Sequence, residues 1–362
     1  MTDRATVGER ARSRYWALLA ALLGIALISC GSPAHVALHA IDEVATVTPA
    51  PIHLPADDTP HDALTEWWYY TGHLTAESGQ KYGFEEVIFQ VERTGVPVFY
   101  AAHFAMTDQL RGEFHFDQRT WVRNERPTSF NLGDGTWQIG GTGASDTLQA
   151  RMPDYAIDLA FTPAKPPAFH GKNGVISFGA VGDSYYYSTT RARIAGTVVD
   201  HGVSVPVTGE AWKDRQWGNF IVTPGGGWDW FSLQLDDGSD VMLFVLHDSA
   251  GTNSAAYGTF VDAAGRATPI EPNAVIVKPT ATWTSPHTQT TYPSGWRIDF
   301  LDRPLQVSLA PTMPDQELDT RPSTGQIYWE GEVGIDGEAG GKPLAGKGYV
   351  ELTGYSATTP RR

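Results

Sequence analysis

Three carboxylates in this chain stand among tryptophans. Glu66 is followed by Trp67 and Trp68, Asp214 lies between Trp212 and Trp217, and Asp229 lies between Trp228 and Trp230. A carboxyl in apolar surroundings keeps its proton to higher pH, and an indole face stabilises a nearby cation. These residue types together suit one reaction: protonation of an isolated carbon–carbon double bond, followed by capture of the tertiary cation by water. Asp229, Glu66 and Asp214 are therefore the candidate acids. Trp67, Trp68, Trp212, Trp217, Trp228 and Trp230 are the candidate walls of a ligand site, and His103 is a candidate base or orienting group. A structural reading competes with this one. Tryptophans near strand starts often plug a barrel end, and acids beside them cap turns or pair with arginine.

Other chemistries find little support. The sequence has no G-x-S-x-G elbow, no Gly-rich phosphate loop, no HExxH and no EF-hand pattern. His35, His39, His53 and His61 are irregularly spaced without acid partners, so no metal is expected, and nothing implies a cofactor. Cys30 is the only cysteine, which excludes an intramolecular disulfide or a cysteine metal cluster. With 26 basic and 41 acidic residues the formal charge is −15, which argues against nucleic acid as a partner and against electrostatic adsorption to anionic lipid.

The elements that must position these residues are strands. Gly (38), Pro (24) and aromatics (11%) are abundant and charge is low (19%), a profile of many short strands and tight turns. Glu66 to Leu74, a turn around Gly79, and Lys81 to Val91 read as one hairpin; Trp228 to Leu235, a turn at Asp236-Asp-Gly238, and Asp240 to His247 read as another. Tyr155, Ile157, Leu159 and Phe161 alternate at strand period, so one face there is expected to be buried. Glu66-Trp67-Trp68 and Asp229-Trp230-Phe231 open corresponding hairpins, a faint internal repeat that predicts duplication of one barrel unit and a cleft lined from both halves.

The N-terminus reads as a targeting segment. Arg4, Arg10, Arg12 and Arg14 precede an uncharged apolar run from Tyr15 to Ser29, and Leu27-Ile28-Ser29-Cys30 matches a bacterial lipobox. Residues 1–29 are expected to be a lipoprotein signal peptide, Cys30 the lipidation site and residues 30–60 a tether. The expected location is extracytoplasmic, on a bacterial membrane through the lipid anchor.

Several stretches carry a family resemblance: Glu66-Trp-Trp-Tyr-Tyr-Thr-Gly-His-Leu74, Tyr82-Gly-Phe84, Ala102-His-Phe-Ala105, Gly209-Glu-Ala-Trp-Lys-Asp-Arg-Gln-Trp-Gly218, Trp228-Asp-Trp-Phe-Ser-Leu-Gln-Leu235, Gln316-Glu317, Tyr328-Trp-Glu-Gly331 and Gly348-Tyr-Val-Glu-Leu-Thr-Gly-Tyr355. From about residue 60 to 356 the chain resembles the lipocalin-like family of carotenoid 1,2-hydratases (hydroxyneurosporene synthases) and AttH-like proteins. The resemblance implies an all-β fold of two lipocalin-like antiparallel β-barrels packed side by side, here expected over residues 61–218 and 219–358. It also implies a hydrophobic small molecule, isoprenoid or lipid-like, as partner. The expected activity is hydro-lyase chemistry, acid-catalysed hydration of an alkene, with a non-catalytic binding or carrier lipoprotein as the alternative. One departure matters. The family's central motif often reads Ala-Trp-Met-Asp-His, whereas this chain has Ala211-Trp-Lys-Asp-Arg215. Lys213 and Arg215, if beside Asp214 in space, would hold its carboxylate ionised and make it a poor acid.

Overall fold

The computed structural model describes residues 50–356 except 143, 178–181, 220–225 and 249–252. The expected signal peptide, Cys30 and most of the tether lie outside the described residues.

Side-chain alternation decides which compartment each residue reaches. The strand Thr65–Ala76 buries Trp68, Tyr70 and Leu74 in one apolar core together with Tyr82, Phe84, Phe104 and Phe161. The intervening Trp67 and Tyr69 belong to a different cluster, shared with Trp230, Met242 and Tyr349 from the other half of the chain. A third cluster, built on Phe231, Leu233, Leu243, Trp296 and Val350, is the core of that second half.

Two antiparallel sheets enclose the two cores. The first is ordered Glu113–Arg123, Val98–Asp108, Lys81–Val91, Thr65–Ala76, Val203–Gly218, Asp183–Asp200, Tyr155–Pro163, Asp146–Arg151, Gln138–Gly141 and Asn131–Gly133. The second runs Ala267–Ile270, Asn253–Val261, Asp240–His247, Gly227–Leu235, Lys342–Leu352, Ile327–Ala339, Leu305–Pro311, Trp296–Phe300 and Val275–Pro279. In both, the opening strand of the half pairs with its hairpin partner on one edge and with the last strand of the same half on the other. The order of connections is the same, so the topology is duplicated. The fold is all-β, with two lipocalin-like barrels side by side.

The duplication is real, but its residue correspondence differs from the sequence alignment. The pairs next to the two hairpin turns are Thr75–Lys81 and Gln234–Asp240, so Glu66 stands nine positions before its turn pair and Asp229 five. A shift of four is even, so each acid still occupies the inward face of its own barrel. Both turns use a left-handed glycine, Gly79 (φ 87°) and Gly238 (φ 84°), as the hairpin reading expects. The stretch from Gly209 to Gly218 is strand throughout. It is the second half of one continuous strand, Val203–Gly218, zipped between Thr65–Ala76 and Asp183–Asp200.

Candidate active site between the barrels

Outward-facing residues of the two barrels meet in a buried seam of aromatics: Tyr69, Tyr186 and Trp212 from the first, Trp230 and Tyr349 from the second. Trp230 meets Tyr69 edge-on at 5.2 Å and Trp212 edge-on at 6.0 Å, the arrangement that the ring quadrupoles favour. Close approach has a backbone cause at Gly83, where an added Cβ would come within 2.4 Å of the Tyr349 hydroxyl. Half-buried Trp67, Phe89, Trp228, Phe244 and Tyr257 pack against this cluster and form its partly open rim.

Four carboxyls stand in this seam. Glu85 accepts a hydrogen bond from the Tyr328 hydroxyl at 3.0 Å and Glu330 one from the Tyr69 hydroxyl at 2.8 Å. Glu351 accepts from Trp228 Nε1 at 2.8 Å. Asp214 accepts from Trp212 Nε1 at 2.6 Å and from the hydroxyls of Ser188 and Tyr186. Among the described residues none of the four makes an ion pair, although other carboxyls between the barrels do have partners: His73 Nδ1 lies 2.6 Å from Glu332, and Arg191 and Lys165 pair with Asp240 at 2.7 and 2.6 Å.

Burial without a cation favours the protonated acid. It pushes Glu85 up to about 8, against the opposing bond from Tyr328. Burial, aided by the charges of Glu85 and Glu351, raises Glu330 well above the ordinary range. Glu351, whose side chain is partly exposed, still rises to about 7 because its carboxyl is enclosed. Asp214 rises to about 6, held back by its three donors. Glu330 and Glu351 are direct cross-strand partners, a placement that discourages ionisation of both. Among the described residues Oε2 of Glu85 and Oε2 of Glu330 have no hydrogen-bond partner, so two proton-holding acids each keep one oxygen available.

The candidates from the sequence divide by strand parity. Asp214, Trp67, Trp212, Trp228 and Trp230 reach the seam. His103 reaches its edge, with Nδ1 2.7 Å from the Tyr328 hydroxyl that binds Glu85, and burial depresses it to about 3, so the ring is neutral. Glu66 does not reach it. Its buried carboxylate lies inside the first barrel, ion-paired with Arg215 and bonded to Gln90 Nε2 at 2.9 Å. Asp229 points into the second barrel, where it accepts from the Tyr355 hydroxyl at 2.8 Å. Trp68 belongs to the first barrel core and carries the Arg215 guanidinium 4.0 Å above its ring. Trp217 stacks on His61 at 4.3 Å, as part of the same plug.

The condition attached to Lys213 and Arg215, that they lie beside Asp214 in space, is not met, for the same reason. Both neighbours point inward, Lys213 to Asp58 and Asp146 at 2.7 and 2.9 Å, Arg215 to Glu66. Asp214 points outward and is not neutralised by them. Glu85, Glu330 and Glu351 were not singled out by the sequence reasoning. Their signal was present: Tyr328/Glu330/Glu332 and Tyr349/Glu351 alternate with core-facing Trp329, Val333, Val350 and Leu352. Two surface depressions lie apart from the four carboxyls, one lined in part by Asp62, Glu92 and Arg93, the other by Phe169, Thr259 and Pro269.

Comparison with known proteins gives a consistent result. A family model described as AttH-like matches residues 45–355. Kievitone hydratase of Fusarium solani subsp. phaseoli is 23% identical over 296 residues, covering 79% of this chain and 81% of the relative. The crystal structure of an AttH protein from Nitrosomonas europaea superposes with a TM-score of 0.78 at 33% identity, covering 86% of this chain and 100% of that one. A crystal structure of kievitone hydratase from Nectria haematococca gives 0.70 at 18% identity, over 84% and 94%, a likeness of fold.

Proposed function

We propose that the chain, which belongs to the AttH-like family, is a hydratase-like protein that adds water across a carbon–carbon double bond of a hydrophobic, isoprenoid or lipid-like molecule. Relationship to kievitone hydratase supports water addition as the reaction class. The observation that carries the reading is the seam itself: four carboxyls with raised pKa, enclosed by aromatic rings, without an ion-pair partner among the described residues.

In this reading Glu330 gives the proton from Oε2 to the alkene carbon, breaking an O–H bond and forming a C–H bond. Positive charge develops on the neighbouring carbon, against the faces of Trp212, Trp230 and Tyr69. Water adds to that carbon, and its surplus proton passes to Asp214, which is ionised above about pH 6. One proton leaves Glu330 and one reaches Asp214, so the addition conserves protons and the product carries one molecule of water; before the next turnover Asp214 releases its proton and Glu330 takes one up.

We further propose that a lipid on Cys30 holds the protein at a bacterial membrane, outside the cytoplasm, as the basic n-region and apolar run support. One rival reading is favoured by the phenol or indole donor that each of the four carboxyls already holds: a non-catalytic carrier lipoprotein that binds an apolar ligand at the rim. Incubating the full chain with an acyclic polyene and weighing the product separates the two.

A further inference from the structure

The four seam carboxyls are enclosed, yet one of them is joined to the surface by hydrogen bonds. Ser188 Oγ donates to Asp214. His170 Nε2 lies 2.6 Å from Ser188 Oγ, and His170 Nδ1 lies 2.8 Å from Thr259 Oγ1. Thr259 in turn lines a surface depression of about 590 Å³, flanked by Phe169 and Gly171 on one barrel and Thr268 and Pro269 on the other. Both His170 and Ser188 are fully buried.

One assignment of hydrogens satisfies the whole chain. Since an ionised Asp214 only accepts, Ser188 donates to it and must accept from His170 Nε2–H; Nδ1 then accepts from the Thr259 hydroxyl. Every link points inward, toward Asp214.

We propose that Thr259, His170 and Ser188 form a proton wire through which the buried Asp214 carboxyl exchanges protons with solvent. A hydrated proton in the depression passes to Thr259 Oγ1, leaving neutral water, as Thr259 passes its own to His170 Nδ1. His170 releases the Nε2 proton to Ser188 Oγ, and Ser188 passes its own to Asp214. Each relay group ends with the proton count it began with, and only Asp214 gains one. The chain left behind points outward, so a protonated Asp214 empties along the same path. No imidazolium is needed, which agrees with burial holding His170 down at about 3. The relay residues touch no substrate; they act through Asp214. The inference takes from the proposed function only that this cluster is the reacting one.

The test is reprotonation of Asp214 after a pH jump, followed by time-resolved infrared difference spectroscopy of the full chain, with the carboxyl band assigned by its loss in Asp214→Asn. His170→Gln keeps a donor toward Ser188 and an acceptor toward Thr259 but cannot relay, and Thr259→Val severs the outer link. The wire predicts that each variant slows the band's appearance by at least about tenfold while leaving the unfolding midpoint of His170→Gln close to wild type. An unchanged rate in both variants, or in Thr259→Val alone should His170→Gln fail to fold, overturns the proposal. This readout needs no turnover, so it stands or falls separately from hydration.

Discussion

The Tyr69 hydroxyl of the first barrel donates at 2.8 Å to Glu330 of the second, a hydrogen bond that crosses the seam between two separately closed cores. Tyr69→Phe leaves a buried acceptor without its donor, a loss of about 1–3 kcal/mol in stability. Because the lost bond favours the ionised acid, Glu330 is expected to hold its proton to still higher pH. Urea unfolding of the variant checks the first expectation, and the alkaline limb of a pH–rate profile, moved upward, checks the second.

The carboxyls give stability an acidic optimum. Between 4.5 and about 8 the folded Glu85 retains a proton that the unfolded chain has released, so stability falls as pH rises through that window. Glu351, from 4.5 to about 7, and Asp214, from 3.8 to about 6, act in the same direction. Asp200 acts oppositely. Despite burial, bonds from Tyr82, His201 and Arg111 hold it at about 2, so its contribution is present above 3.8 and lost as pH falls toward 2. Thermal melts across pH 3 to 9 are expected to peak near pH 4 and decline toward 8, on the order of a kcal/mol per shifted group and pH unit. Glu85→Gln is expected to flatten that decline.

The fold was legible because its signals are local. Hairpin glycines at Gly79 and Gly238 and the alternation of Tyr155 to Phe161 sit within a few residues of the structure they specify. The site was half legible. Tryptophan beside an acid marks a buried carboxyl, but parity decides where it goes, and neighbours in sequence are opposites in space. Thus Glu66 and Trp67 part company, as do Asp214 and its two cations. Glu85, Glu330 and Glu351 come together from strands about 20 to 265 positions apart, and that convergence has no local signature.

Arg215 and Glu66 are expected to matter for folding and not for chemistry. Arg215→Met removes the guanidinium from the buried Glu66 carboxylate and leaves it only His61 and Gln90, at up to about 3–5 kcal/mol, whereas Arg215→Met with Glu66→Leu recovers most of that loss. Denaturation midpoints of the two single variants and the double variant measure the coupling.

Cys30 is expected to bear the membrane anchor. Cys30→Ser expressed in a bacterial host should move the protein from the membrane fraction to the soluble extract and remove the lipid mass from its N-terminus. Retention in the membrane fraction without that mass would count against the anchor.

The central claim is that the seam carboxyls add water. Full-length protein incubated with an acyclic polyene in heavy-oxygen water should give a product heavier by one labelled water. Glu330→Gln should reduce the rate by at least about a hundredfold, and Glu66→Gln should retain it per folded molecule. Bound polyene with no labelled product from wild type would contradict the account.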